Sequence, residues 1–251
     1  MLFKFLEKKL TLNCFVHEKY CHLIDLHPIQ PAYKFYPEWM KSVEKTHFDQ
    51  SSLQTKNTIR SCSGFINTFK SGYMIPMWSD LAINVDKVDN DFSYNYQFSD
   101  HKSSIDFHTN EQSGDFYKDH YILKLISPWY IDSCSDVKFL FTDCMWNNVS
   151  SPGYITPTGI TNLHEKLNTS TNIFIMLKKQ KQKLFIHAGQ PMMHIIPLTE
   201  RKTQLKFEIL NDGEFTRFMR FGTHTTFNRH GVNRKRNFEG KCPIKTTLKN
   251  G

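Results

Sequence analysis

At 251 residues, 39% of them hydrophobic and 14% aromatic, the chain can bury a sizeable core, which excludes an intrinsically disordered protein. The formal net charge of +8 belongs to one end: residues 216–251 hold nine Lys/Arg and one Glu, so the preceding 215 residues are neutral overall. No apolar run approaches the roughly 20 residues of a membrane span, and six dispersed cysteines show no paired spacing, which argues against a membrane partner and against a disulfide scaffold.

The N-terminal "MLFKFLEKKLTLNCF" places Glu7 and Asn13 among its apolar residues and lacks a small-residue cleavage site, so it does not read as a secretory leader. Within it, "LTLNCFV" reads as a strand. Pro28, Pro31 and Pro37 then forbid regular structure and predict an extended arm laid over a surface. "EWMKSVEK" opens a short helix and "FDQSSLQTKNT" reads as a loop. A helix is expected from Gly64 to Lys70, stopped at Gly72. The strand after it alternates, with Leu81, Ile83 and Val85 on one face and Trp78, Asp80, Ala82 and Asn84 on the other.

Short β-like runs follow: "FSYNYQF", "SSIDFH", "YILKLISPWYI", "VKFLFTDCMW" and "TNIFIML", separated by clusters of turn-forming residues. "LFIHAGQPMMHIIPL" reads as a hairpin turning at Ala188–Pro191. "ERKTQLKFEIL" reads as the one long helix, ending near Gly213, and helical spacing resumes with Phe215, Phe218 and Met219. The expected fold is mainly β: an antiparallel sandwich, jelly-roll-like or β-clip-like, with short helices and extended terminal arms. Its expected divisions are a Pro-rich N-terminal arm (1–60), the sandwich core (61–200), and a helix with a basic C-terminal extension (201–251).

The hairpin raises the sharpest question of chemistry. Its register would put Phe185, His187, Met192 and His194 on one face, with the two imidazoles as diagonal neighbours. A divalent metal is then possible, given a third ligand from His108, Glu111 or His120; no other cofactor is predicted. The same residues, with Gln112, could instead line a ligand pocket, or the histidines could simply pack. Asp106 and His108 share a strand face, which a general acid/base role could use, but a solvated rim is the preferred reading of them. No phosphate-cradling glycine loop and no nucleophile elbow is present, so the reading leans away from an enzyme.

The tail "RFMRFGTHTTFNRHGVNRKRNFEGK" interleaves Arg with Phe. Arg217, Arg220, Arg229, Arg234, Lys235 and Arg236 are the candidate contacts to single-stranded nucleic acid or to an acidic protein surface.

Three patches together resemble an uncharacterised family of tailed phages and some bacteria. They are "PIQPAYKFYPEWMK" (28–41), "SCSGFINTFKSGYMIPMWSDLAI" (61–83), and the series "SPWYI", "SPGYI", "HAGQPMMHIIPLTERK". The likeness covers about residues 28–202. It implies a β-sandwich of phage origin and brings no activity with it. A second stretch, "SPGYITPTGITN" through "HAGQPMMHIIPL", is similar in order to the trimeric dUTPase and dCTP deaminase pattern. Gly189 and Gln190 fit that motif, but Thr156 stands where the family has its catalytic aspartate and Met193-His194 replaces its Ala-Gln.

The leading expectation is therefore a phage-encoded, non-enzymatic protein, virion-associated or a binding module for a viral or host partner, in the cytoplasm of an infected cell or in the virion. One alternative is a β-sandwich enzyme or small-ligand or metal-binding protein with a pocket near His108, His187 and His194. Another is single-stranded nucleic-acid binding through the basic tail.

Overall fold

The computed structural model describes residues 9–114, 117–147, 153–164 and 170–223. It opens with strand β1 (Leu10–His17), a 3-10 turn (Glu18–Tyr20) and the short helix α1 (Leu23–Leu26). A two-residue strand β2 (Gln30–Pro31), helix α2 (Glu38–Ser42) and a ribbon of β3 (Thr46–Asp49) and β4 (Gln54–Asn57) precede helix α3 (Ser63–Lys70). Strands β5 (Tyr73–Pro76), β6 (Leu81–Val88), β7 (Asp91–Phe98) and β8 (Ile105–His108) come next, then helix α4 (Asn110–Ser113). The chain continues through β9 (His120–Leu125), β10 (Tyr130–Ser133), β11 (Lys138–Asp143), β12 (Tyr154–Ile155), β13 (Gly159–Asn162) and β14 (Ile173–Lys178). It closes with β15 (Gln182–Ile186), β16 (Pro191–Pro197), β17 (Thr203–Leu210) and helix α5 (Asp212–Thr223).

The strands form sheets in the orders β13-β11-β16-β5-β2, β12-β14-β9-β8, β15-β6-β7 and β10-β1-β17, beside the isolated β3-β4 ribbon. All pairings are antiparallel except β1 with β17. One continuous core draws on every large sheet, with Leu12, Ile75, Ile83, Leu123, Phe139, Ile175, Ile186 and Ile195 all buried. The expected alternation in β6 is present: Leu81, Ile83 and Val85 are buried, and the residues between them are half-buried. The protein is mainly β and sandwich-like, and no described helix is long and apolar enough to cross a membrane. No disulfide joins the five described cysteines.

Three expected elements differ, the first being the loop read over residues 48–58, which carries the turn and second strand of the β3–β4 ribbon. Residues 203–210 form a strand, not a helix. Leu205, Phe207 and Ile209 recur at period two, and Leu205 and Phe207 pack on the core. That period outweighs the helix propensity of the intervening Lys and Glu. Nor is the N-terminal segment all arm: β1 is the central strand of its sheet, with Leu12 opposite Ser133 on one side and Leu205 on the other. Seven of its eight residues are buried, which explains a near-continuous apolar run in place of an alternating one. Beyond it, the proline-spaced segment does lie over the sandwich. Ala32 and Met40 join Phe65, Phe69, Met74 and Cys144 in a second apolar cluster, edged by Tyr36, Trp39 and Trp146.

Candidate ligand-binding cleft

The expected hairpin is a corner. β15 pairs with β6, whereas β16 pairs with β5 and β11, so the two strands belong to different sheets. Between them the chain turns beside residues 77–80, which make the same crossing from β5 to β6. Met77 N donates to Gln190 O (2.8 Å), Gly189 N to Met77 O (2.7 Å) and Ala188 N to Asp80 Oδ1 (2.8 Å). Gly189 sits at φ +83°, a conformation that strains residues bearing a Cβ. A strand pair that switches sheets at such a bend is how sandwich corners are made.

This geometry separates the two histidines. The His187 side chain is 74% exposed, 4.0 Å from Asp80 and edge-on to the exposed Phe185 ring. His194 is 1% exposed, and its Nε2 donates to the Ser71 carbonyl at 2.7 Å. Burial pushes the His194 pKa below the ordinary 6.5, and the Ser71 carbonyl only partly opposes this. Consequently the unfolded chain takes up a proton near pH 6.5 while the folded chain does not until lower pH. Stability is therefore expected to be level above that value and to fall as pH drops from 6.5 towards the folded pKa. Urea midpoints at pH 7.5 and 5.0 should differ less in a His194→Gln variant than in wild type. Equal shifts in both would remove His194 as the cause.

The other sequence candidates have neighbours of their own. His108 lies tilted against Phe174 (5.2 Å), and Gln112 closes a capping box by accepting from Thr109 N. The Glu111 carboxyl is held below the usual range, first by the Thr109 hydroxyl. His120 begins β9, edge-on to Tyr117. Asp106 pairs with Lys124 at 2.6 Å. Gln190 donates to the Tyr154 hydroxyl at 3.2 Å, and Thr156 is buried. No group of three His, Cys, Asp or Glu that could hold a metal occurs among the described residues. Arg217 is exposed on α5 and Arg220 lies in the same helix, whereas Arg229, Arg234, Lys235 and Arg236 fall outside the described residues.

A cleft of about 200 Å³ opens elsewhere, at the end of β1. Its walls come from His17, the following turn (Lys19, Tyr20), the sheet corner (Trp78), the β7–β8 loop (Lys102, Ser103), the β9–β10 connection, Tyr130 and the first turn of α5 (Phe215). Each wall has a local cause. His17 Nδ1 accepts from Lys19 N (3.1 Å) and caps the turn, which leaves the ring proton on Nε2, where it is donated to Asp212 Oδ1 (2.8 Å). That contact ties β1 to the start of α5. Asn211 and Glu214 cap the helix reciprocally, Glu214 N donating to Asn211 Oδ1 (2.9 Å) and Asn211 N to Glu214 Oε2 (3.0 Å). Phe215 and Phe218 then pack edge-on against Tyr130.

The opposite wall is held by Asp100, which accepts from Lys102 N (2.9 Å), Ser103 N (2.6 Å) and Ser103 Oγ (2.8 Å). Burial alone would raise the Asp100 pKa, but these bonds hold the carboxyl below its usual range. Trp78 Nε1 donates to Ser103 Oγ at 2.9 Å and fixes the loop from beneath. Two ammonium groups converge on one ring as a result: Lys19 Nζ lies 5.1 Å and Lys102 Nζ 6.0 Å from the centre of Tyr20. The Tyr20 hydroxyl donates to Lys102 O, and burial, with Asp100 adding to it, pushes its pKa up, so it stays a neutral donor. Among the described residues lining the cleft there is no carboxylate. Sequence reading missed this site because its parts are remote in the chain: Tyr20 and Lys102 are 82 positions apart. No family model and no curated protein matches the chain.

Proposed function

We propose that the protein is a phage-encoded, non-enzymatic binding module for a polyanionic viral or host partner. Its contact groups are those of the cleft together with the basic side chains of the C-terminal sequence. The observation that carries this reading is the lysine-lined cleft, in a chain whose net positive charge lies in residues 216–251. α5 contributes Phe215 to a cleft whose charged lining residues are lysines, and the chain then runs on into residues 224–251, with seven Lys/Arg and one Glu. A cationic cleft and a basic C-terminal sequence together supply a salt-sensitive attraction for repeated negative charge. The rest of the fold, neutral overall, supplies none.

Full-length protein is therefore expected to be retained on immobilised heparin and to elute at lower salt when R234A/K235A/R236A is introduced. Wild type that elutes in the void at low salt would overturn the reading.

A further inference from the structure

We infer that the cleft beside Tyr20 takes one base and the adjoining phosphate of a single-stranded nucleic acid. This rests on the polyanion-binding reading and names its partner. Size is the first argument. At about 200 Å³ the cleft is smaller than the roughly 300–1,000 Å³ of pockets that enclose whole small-molecule ligands. It admits one ring-sized group of something longer.

Chemistry is the second argument. One wall is aromatic, with Tyr130 and Phe215 edge-on at 5.4 Å, and it offers an apolar surface to a planar group. Lys19 and Lys102 share the Tyr20 ring on the lining of the same cleft and offer two ammonium groups to a phosphate attached to that planar group. An acidic protein segment would use the lysines but has no planar group for the aromatic wall. A base in a duplex is already stacked on its neighbours, whereas a single strand leaves the ring free to enter.

The carboxylates close to the site are engaged by donors other than the two ammonium groups. Asp100 is engaged by the amides of Lys102 and Ser103, Asp212 by His17 Nε2, and Glu18 Oε1 by Asp212 N at 3.2 Å. Neither Lys19 nor Lys102 forms an ion pair with a described residue, so both charges are available. The +8 of residues 216–251 adds a salt-sensitive attraction for a polyanionic strand.

The test uses full-length protein and fluorescence anisotropy with a labelled twelve-nucleotide oligothymidylate, an abasic strand of the same length, and a duplex. The oligothymidylate is expected to bind with strong salt dependence. The abasic strand should bind at least about fivefold more weakly, the loss of roughly one stacked base. K19A/K102A should weaken binding about tenfold and make the log–log salt slope shallower by ~0.7 for each phosphate that the variant no longer neutralises. Ultraviolet crosslinking of a 5-iodouracil strand to wild type, read by mass spectrometry, should label Tyr130 or Phe215 without relying on any variant's folding. If the abasic strand and K19A/K102A both match wild type while R234A/K235A/R236A weakens binding, the base does not enter the cleft and the inference falls, with the polyanion reading intact. Retention on heparin without binding to any oligonucleotide also overturns the inference and points to an acidic protein. Loss of both overturns the inference and the reading on which it rests.

Discussion

A Gly72→Ala protein is expected to lose more than about 3 kcal/mol of stability, a fall of roughly 6–12 °C in Tm for a domain of this size. Gly72 ends the turn between α3 and β5 at φ +72°. A Cβ there would stand 1.9 Å from Ile195 O and 2.9 Å from Ile195 C, both backbone atoms of β16. The left-handed conformation alone costs an L-residue about 1–2 kcal/mol. The larger part is the contact, since backbone cannot swing aside as a side-chain tip can.

Relief would require β5 and β16 to part at the pairs Ile195–Tyr73 and His194–Met74. The same movement would disturb the bond from His194 Nε2 to Ser71 O and the bond from Ala32 N to Gly72 O that anchors the N-terminal arm. Gly159→Ala is the matched control, because nothing lies within 4 Å of its Cβ and its strand is exposed at that point. Thermal unfolding followed by circular dichroism should leave Gly159→Ala within about 2 °C of wild type. A Gly72→Ala protein that also stayed within that margin would show that the turn and β16 are not packed as described.

Some short elements of the fold were legible locally, although the β3–β4 ribbon was read as a loop. α3 stops before the glycine expected to stop it, and the expected alternation of Leu81, Ile83 and Val85 is the burial pattern of β6. What failed was the assignment of partners. "LFIHAGQPMMHIIPL" has the turn chemistry of a hairpin, yet Leu184 lies opposite Ile83 and His194 lies between Thr142 and Met74. Turn residues specify that the chain bends, not which strand each arm then joins. The helix expected over 200–210 failed for a different reason. Its Glu, Lys and Gln are good helix formers, but the period-two run of Leu205, Phe207 and Ile209 was the stronger signal, and β1 supplies a parallel partner along all eight residues.

The candidate site was hardly legible. Sequence reading singled out histidines 187 and 194 as neighbours on one hairpin face, with packing as its first reading, and the corner places one in solvent and one in the core. His17, Tyr20, Lys102 and Phe215 drew no notice because no local pattern links them. Only the β1–β17 pairing brings α5 back to the start of the chain. The tail, by contrast, was plain in composition, as nine Lys/Arg against one Glu from residue 216 onward. Structure adds that this charge issues from a helix whose first turn walls a cationic, aromatic cleft.

Trp129→Ala is expected to cost about 3–5 kcal/mol, whereas Trp129→Phe should cost less than about 1.5 kcal/mol. Trp129 heads the largest fully buried side chains and lies 5.8 Å from Phe207 of β17. Its backbone is fixed independently of its ring: the amide donates to Ser127 Oγ (3.1 Å) and the carbonyl accepts from Thr171 N (2.7 Å). Truncation to alanine therefore leaves a cavity under the β9–β10 connection that the anchored backbone cannot collapse to fill. Phenylalanine restores most of the ring volume. It also removes the indole N–H, which is buried without a hydrogen-bond partner among the described residues. Keeping such a donor dry costs about 1–3 kcal/mol, which offsets much of the packing that goes with the second ring. The comparison is read from urea midpoints of the two variants at pH 7.5. A Trp129→Phe protein as unstable as Trp129→Ala would mean that the indole shape, and not simply its bulk, holds β17 against the core. A result near wild type would identify the unpaired N–H as a standing penalty in the native state.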